Sequence, residues 1–432
     1  MRRNSRNRNR ILKKKNDINY SKVQKSLIVI VSILFILLIV IACFNYIKNR
    51  NDYQNLVNTS KQEIENQKQE NAKKEAEENK EEEPTDTTFT MAAIGDIMCH
   101  NTQYNDAYNK DTGAYDFSYV FDDISLYTKT ADICVGNLET TFAGEDVGYS
   151  GYPTFNTPDS LAYELKDIGI DVLSTAGNHA LDKGFNGLSR TIDVLNDADI
   201  AHTGTYKTEE EQNTILTKYV KGIKIAFVNF TYGTNGIKIP SGKEFCVNLI
   251  DNDLITKQLD LAKSQNPDII VACMHWGNEY KTTPNDTQKE LSTFLFQNGV
   301  DIILGTHPHV LEPMEKQTVT LEDGTTKDGF VIYSLGNFIS GQTAENTKTS
   351  IILNLTITKH TDGKITIDKA EYKPIYMYTD KSLKTKKMKL LDINKNIYNY
   401  ENYIDSTINK TFYDTLKSEQ EKVTKIVGEE LK

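Results

Sequence analysis

The chain is short of cysteine, tryptophan and proline for its length, with five Cys, one Trp and nine Pro in 432 residues. The cysteines stand at positions 43, 99, 134, 246 and 273 with no Cys-x-x-Cys pair. That spacing leaves thiolate zinc sites and dithiol redox motifs unsupported. Cys134 and Cys273 sit inside apolar runs and read as small buried hydrophobes. Net positive charge is also confined to the start of the chain. Residues 1–25 carry five Arg and five Lys against one Asp, a net +9, so the overall −10 leaves −19 for the rest. A globular part this acidic lacks the basic face of a nucleic-acid binder, and no nucleic-acid partner is expected. It also repels polyanions at long range, so an anionic substrate needs a local cation such as a bound metal. No internal repeat is visible.

One long apolar run is present. Leu27 to Phe44 holds eighteen residues without a charge, long enough for a transmembrane helix. The basic block before it predicts a cytoplasmic N-terminus. The protein is therefore expected to be single-pass in the cell membrane, with everything after Tyr46 outside. A cleaved signal peptide fits less well, because the basic region and the apolar core are both long. Val40-Ile41-Ala42-Cys43 resembles a lipobox, which leaves a lipidated Cys43 as the competing anchor. Residues 51–86 are rich in Glu, Lys, Gln and Asn and poor in large apolar groups, so they read as a disordered or solvated-helical spacer. The expected order is a basic tail (1–26), an anchor (27–46), a charged spacer (47–86), a folded domain (87–380) and a Lys- and Asn-rich helical extension (381–432).

From about Phe89 the pattern changes. Short β-branched runs bounded by Gly, Asp, Asn or Pro recur at 89–95, 131–138, 170–177, 223–230, 268–274, 300–305, 330–338 and 350–357. They read as buried strands. Helical patterns lie between several of them, at Pro158 to Ile168, Asn186 to Leu195, Asp251 to Ala262 and Asn285 to Gln297. One more strand is expected at Ala370 to Tyr378, and a surface helix from Tyr400 to the end. Strands alternating with helices give an α/β fold class.

The polar signals fall at the C-terminal ends of these strands, where open α/β sheets build their sites. Gly95-Asp96 ends the first. Gly136-Asn137-Leu138-Glu139, Gly177-Asn178-His179, His275-Trp276-Gly277-Asn278-Glu279, Gly305-Thr306-His307-Pro308-His309 and Gly336-Asn337 end others. Taken singly, each has an ordinary reading: Asp as a turn or cap, His as a packed core residue, Glu279 as a solvated carboxylate, Gly336-Asn337 as a hairpin turn. Together they form a set. Five of the seven His lie at or beside strand ends. Imidazole, carboxylate and amide oxygen together suit Zn²⁺, Mn²⁺ or Fe better than Ca²⁺ or Mg²⁺. A carboxylate can also bridge two ions, as in two-metal hydrolases.

The stretches IGDIM (94–98), GNLET (136–140), GNHALDKG (177–184), MHWGNEY (274–280), GVDIILGTHPHVLEP (299–313) and YSLGNF (333–338) resemble, in order, the CapA family, named for a poly-γ-glutamate capsule biosynthesis protein. GNHALDKG and GTHPH are also similar to calcineurin-like metallophosphatases. The resemblance covers about residues 89–340 and implies a four-layer α-β-β-α sandwich. It implies two divalent transition-metal ions held by Asp96, Glu139, Asn178, His275, His307 and His309. It makes His179 the acid that protonates a leaving group. Asp182, three residues on, reads either as the carboxylate that orients that imidazole or as a helix N-terminal acid facing the dipole. Phosphatases place a His two residues after the first Asp, where this chain has Met98; His100 lies four residues on. One metal position is therefore expected to be weaker. Trp276, Glu279 and Asn337 are candidates for substrate contact, and Phe155 for a substrate wall. Two functions remain open. One is an extracytoplasmic metal-dependent hydrolase acting on a phosphoester or on an anionic envelope polymer. The other is a non-catalytic, metal-stabilised assembly or export factor bound to capsule-synthesis membrane proteins.

Overall fold

The computed structural model describes residues 85–431. The basic tail, the apolar run and the spacer up to residue 84 lie outside the described residues. Among the described residues no helix is long and apolar enough to cross a membrane.

Sixteen strands follow in chain order: β1 (Thr87–Ile97), β2 (Tyr108–Asn109), β3 (Ala114–Tyr115), β4 (Ile133–Leu138), β5 (Val172–Ser174), β6 (Ala201–Thr203), β7 (Leu216–Val220), β8 (Ile223–Thr231), β9 (Ile269–His275), β10 (Ile302–Thr306), β11 (Met314–Thr320), β12 (Thr326–Ile332), β13 (Asn337–Ile339), β14 (Thr349–Lys359), β15 (Ile365–Thr379) and β16 (Met388–Asp392). Two mixed sheets result. The larger runs β16-β15-β14-β1-β4-β5-β6, with β13 pairing β1; the smaller runs β11-β12-β10-β9-β8-β7. β1, β4, β5 and β6 are parallel, as are β8, β9, β10 and β12.

Strand alternation sorts the core into layers. Met91 and Ala93 of β1 join Phe227 of β8, Val271 of β9 and Leu353 of β14 in one apolar layer that both sheets share. Their neighbours Ala92 and Ile94 point the other way, onto Leu161 and Leu165 of the helix Ser160–Asp167 and Leu195 of the helix Gly184–Asp197. On the smaller sheet, Ala226 and Ile270 point outward onto Ile255 and Leu259 of Asn252–Ser264 and Leu295 of Asp286–Gln297. Helices thus cover the outer face of each sheet. Burial of each large apolar side chain contributes roughly 1.5–3 kcal/mol, so the shared layer fixes how the two sets of strand ends meet.

Three expectations change. The run 330–338 is not one strand. It breaks after Ile332, so that β12 closes the smaller sheet while β13 crosses to the larger one beside β1. The folded domain does not stop at 380. β16 pairs with β15, and its Met388 and Leu390 are buried among charged neighbours, a pattern too short to stand out in a Lys-rich stretch. The C-terminal segment forms two helices, Ile393–Glu401 and Lys410–Val427, and Val423 and Val427 enter the layer between the sheets. The end of the chain is therefore core, not only surface.

Candidate metal centre

Asp96 stands at the end of β1 because the strand can pass close to a second backbone there. A Cβ on Gly95 would lie 1.8 Å from the Gly336 carbonyl oxygen, so only glycine fits. The Asp96 amide then donates to that carbonyl (2.9 Å). Asp96 Oδ1 accepts from Asn137 Nδ2 (2.9 Å), and Oδ2 lies 3.3 Å from the His307 amide and 3.2 Å from His309 Nδ1. Gly305 plays the same part on β10, where a Cβ would meet the Tyr333 carbonyl oxygen at 1.9 Å. Beyond it, His307 and His309 both take positive φ, 96° and 61°. Such a conformation costs about 1–3 kcal/mol for a non-glycine residue and is found where the site needs it. Here it turns two imidazoles back over the end of β1.

The expected ligand residues come together. Glu139, His275 and His307 bring one donor atom each within 4.8 Å of one another, and so do Asp96, Glu139 and His309; Glu279, His307 and His309 form a third, more exposed group. Glu139 belongs to two of these groups, the position a bridging carboxylate would take. Asn178 completes the first. Its Nδ2 donates to the Tyr232 hydroxyl (3.3 Å) and to Asn235 Oδ1 (3.2 Å), which turns Oδ1 toward His275 Nε2 at 3.0 Å.

The chemistry of these atoms fits a cation. Both Glu139 carboxylate oxygens and His307 Nδ1 are buried without any hydrogen-bond partner among the described residues. A buried carboxylate in that state costs several kcal/mol unless a positive charge compensates it. Glu139 Oε1 lies 3.7 Å from His275 Nε2, and Oε2 lies 3.8 Å from His309 Nδ1; both separations are too long for hydrogen bonds. Burial, and next the Asp96 carboxylate, hold Glu139 well above the usual carboxylate range. Burial and the neighbouring imidazoles hold His275 well below the usual histidine range and take His307 down to about 3. His275 and His307 are thus neutral and cannot neutralise the acids. The Thr306 hydroxyl reaches the Met274 carbonyl (3.4 Å) and leaves its own oxygen to accept from His275 Nδ1 (3.1 Å). In that tautomer the Nε2 lone pair faces the oxygens of Asn178 and Glu139, an arrangement that a shared cation would satisfy.

His179 lies beside this cluster. Its Nδ1 and Asp182 Oδ2 are 2.8 Å apart and buried, and Asp182 Oδ2 also accepts from the Phe155 amide (2.6 Å). The Phe155 ring meets His179 edge-on at 4.8 Å, so Phe155 is a buried wall of the site. Asn235 Nδ2 lies 3.3 Å from His179 Nε2. The His100 Nδ1 accepts from the Gly341 amide (3.1 Å), its ring meets Phe155 edge-on at 5.1 Å, and burial pulls it down to about 4. Met98 is buried.

The substrate-contact candidates divide. Glu279 is exposed and near His307 and His309. Asn337 is buried beside Asp96 and donates from Nδ2 to Gln342 Oε1 (2.9 Å) and the Thr347 carbonyl (3.0 Å). Trp276 does not line a substrate wall. Successive strand-end residues alternate faces, which sends it into the outer core, where Nε1 donates to the Tyr333 carbonyl (2.9 Å). Two participants were missed. Tyr232 lies over His307 with ring centroids 4.4 Å apart, and Asn235 touches both Asn178 and His179. Both follow the C-terminal end of β8, so the strand-end rule applied to 223–230 would have found them.

The fold and the cluster define an α/β protein with two sheets meeting at a His, Asp and Glu site suited to divalent metal. The family model for the "Bacterial capsule synthesis protein PGA_cap" matches residues 90–342, and the chain belongs to that family. Among curated relatives, "Capsule biosynthesis protein CapA" of Bacillus anthracis is 31% identical over 273 residues, 61% of this chain and 62% of that protein. "PGA biosynthesis protein CapA" of Bacillus subtilis (strain 168) is 29% identical over 294 residues, 66% and 71% of the two chains. The chain thus spans a little under two thirds of the first relative's length. Among solved structures, NAD nucleotidase (NadN) of Haemophilus influenzae gives a TM-score of 0.43 at 12% identity, covering 79% of this chain and 61% of that one; a likeness at that score adds nothing to the topology described above.

Proposed function

We propose that this chain is a membrane-anchored, extracytoplasmic metal-dependent hydrolase working in capsule or poly-γ-glutamate biosynthesis. The capsule assignment is supported by family membership and by the biosynthetic roles for which the two relatives are named. The anchor is supported by the uncharged run from Leu27 to Phe44 behind a +9 block. The hydrolytic reading is carried by one observation: buried, unpartnered donors on Glu139 and His307 lie beside a buried His179–Asp182 pair.

Asn178, His275 and His307 would hold one divalent ion, Asp96 and His309 a second, with Glu139 shared. An ion such as Mn, Zn or Fe supplies Lewis acidity and lowers the pKa of water. The chain's own residues do the rest. Asp182 fixes the His179 ring through Nδ1, so that Nε2 can carry the proton a leaving group needs. Phe155 keeps water from the back of that ring. Asn235 accepts from Asn178 Nδ2 and packs beside the His179 ring, next to both acid and proposed ligand. Substrates are a phosphoester, or an amide or ester of an anionic envelope polymer, and the partners are membrane proteins of capsule synthesis.

The test is turnover by the purified full chain on a panel of phosphoester and γ-glutamyl substrates, before and after chelation. Metal-dependent turnover on either class supports the reading. Tight metal binding with no turnover on any substrate replaces it with the assembly-factor reading. For the anchor, protease added to intact cells should release a soluble fragment by cutting within residues 51–86; protection of that fragment until lysis would contradict an extracytoplasmic domain.

A further inference from the structure

Beside the metal cluster lies a cleft whose charge runs against the chain's net −10. Its volume is about 430 Å³, and Lys348, Lys384 and Lys387 line it. Their neighbour Lys386 pairs with Asp116, but these three lysines form no ion pair among the described residues. One acid lines the same cleft, Asp106. Its Oδ2 is already occupied, accepting from the Tyr119 hydroxyl (2.8 Å) and from the amides of Lys387 (2.8 Å) and Met388 (2.9 Å). Asp106 therefore fixes the wall that carries Lys387. Scattered lysines are usually a solvated face; three lining one concavity with no ion-pair partner make it favourable to an anion.

The cleft shares a wall with the metal cluster. Ser340, Gly341 and Gln342 line it. From that loop the Gly341 amide donates to His100 (3.1 Å), and Gln342 Oε1 accepts from Asn337, the residue in register with Asp96. Gln342 Nε2 lies 3.5 Å from the Tyr280 hydroxyl, and the Tyr280 ring lies 6.0 Å from the His309 ring. A chain lying over this loop would reach both places.

We propose that the cleft is an anion subsite that holds an acidic group, carboxylate or phosphate, of a chain whose other part lies at the metal cluster. That the chain is then cut rests on the hydrolytic reading above; the binding does not. The test is binding of fluorescent hexaglutamate and of tripolyphosphate to the purified full chain. The comparison is with the variant carrying Lys348→Met, Lys384→Met and Lys387→Met, and with Lys257→Met on the exposed face of Asn252–Ser264 as control. The triple variant should weaken the Kd of one or both probes by about 3- to 10-fold, as expected for two or three partly exposed charge contacts. Lys257→Met should leave it unchanged. Raising NaCl from about 0.05 to about 0.5 M should weaken wild-type binding and narrow the gap between the proteins. An effect on hexaglutamate alone assigns a carboxylate chain, and an effect on tripolyphosphate alone a phosphate. Equal Kd values in wild type and triple variant, no binding of either probe by wild type, or an equal loss in Lys257→Met would overturn the subsite. Absence of turnover with the binding difference intact would fall on the hydrolytic reading instead.

Discussion

The two sheets meet twice, in opposite chemistries. Through most of their contact they share an apolar layer in which Phe89, Met91, Phe227, Val271 and Leu353 are fully buried. At the C-terminal ends of the same strands the contact turns polar, and Asp96, Glu139, Asn178, His275, His307 and His309 are just as buried. The apolar layer is satisfied by its own atoms. The polar end is not, since Glu139 and His307 keep donors with no protein partner. The first region holds the fold, and the second depends on that support to keep unfavourable groups together. Changes in the two regions should therefore separate stability from chemistry.

The largest separation is expected at His179. His179→Ala removes the proposed acid but no ligand, so turnover on poor leaving groups should fall by about 10²–10⁴-fold. Metal content and melting should stay near wild type. An activated phenyl ester should be affected much less, and a loss of metal in this variant would make His179 a ligand. In the apolar layer, Phe227→Ala should do the reverse. It should cost about 3–5 kcal/mol in denaturant unfolding, while the folded fraction keeps its metal.

Glu312 sharpens the boundary between the regions with a smaller effect. It is buried, and its Oε2 accepts from Gln288 Nε2 (2.7 Å) while Oε1 has no partner. Burial raises it to about 7. A carboxyl raised on folding favours the folded state while it is protonated in both states. That stability is lost as pH rises from about 4.3, the unfolded value, through about 7. Glu312→Gln keeps the shape without the charge, so it should stabilise the protein at pH 8 by on the order of 2–3 kcal/mol. At pH 4 it should have almost no effect. Equal melting shifts at both pH values would remove the ionisation argument.

Most of this division was legible in the sequence, for a physical reason. β-branched runs such as those at 223–230 and 268–274, bounded by turn residues, read as buried strands, and polar residues at strand ends mark where ligands collect. The six proposed ligand residues follow from that rule together with the family resemblance. What was not legible depended on contacts between distant segments. Trp276 sits one residue past His275 of the polar cluster, and only strand alternation decides that it faces the core. Tyr232 and Asn235 carry no metal-binding chemistry of their own, and their place over His307 and beside Asn178 appears only when β8 and β9 pair. β16 was hidden because three apolar residues in a short Lys-rich stretch do not announce a strand until β15 is there to receive them.

The claim on which the account turns is that the polar end of the sheet contact is a metal site. Its most direct test is metal analysis of the purified full chain against the His307→Ala/His309→Ala double variant, each loaded under the same conditions. The account predicts bound divalent transition metal in wild type and its loss in the variant. The variant should remain folded but melt at lower temperature, since binding stabilises the native state. Equal metal content in the two proteins, or none in either, would contradict it.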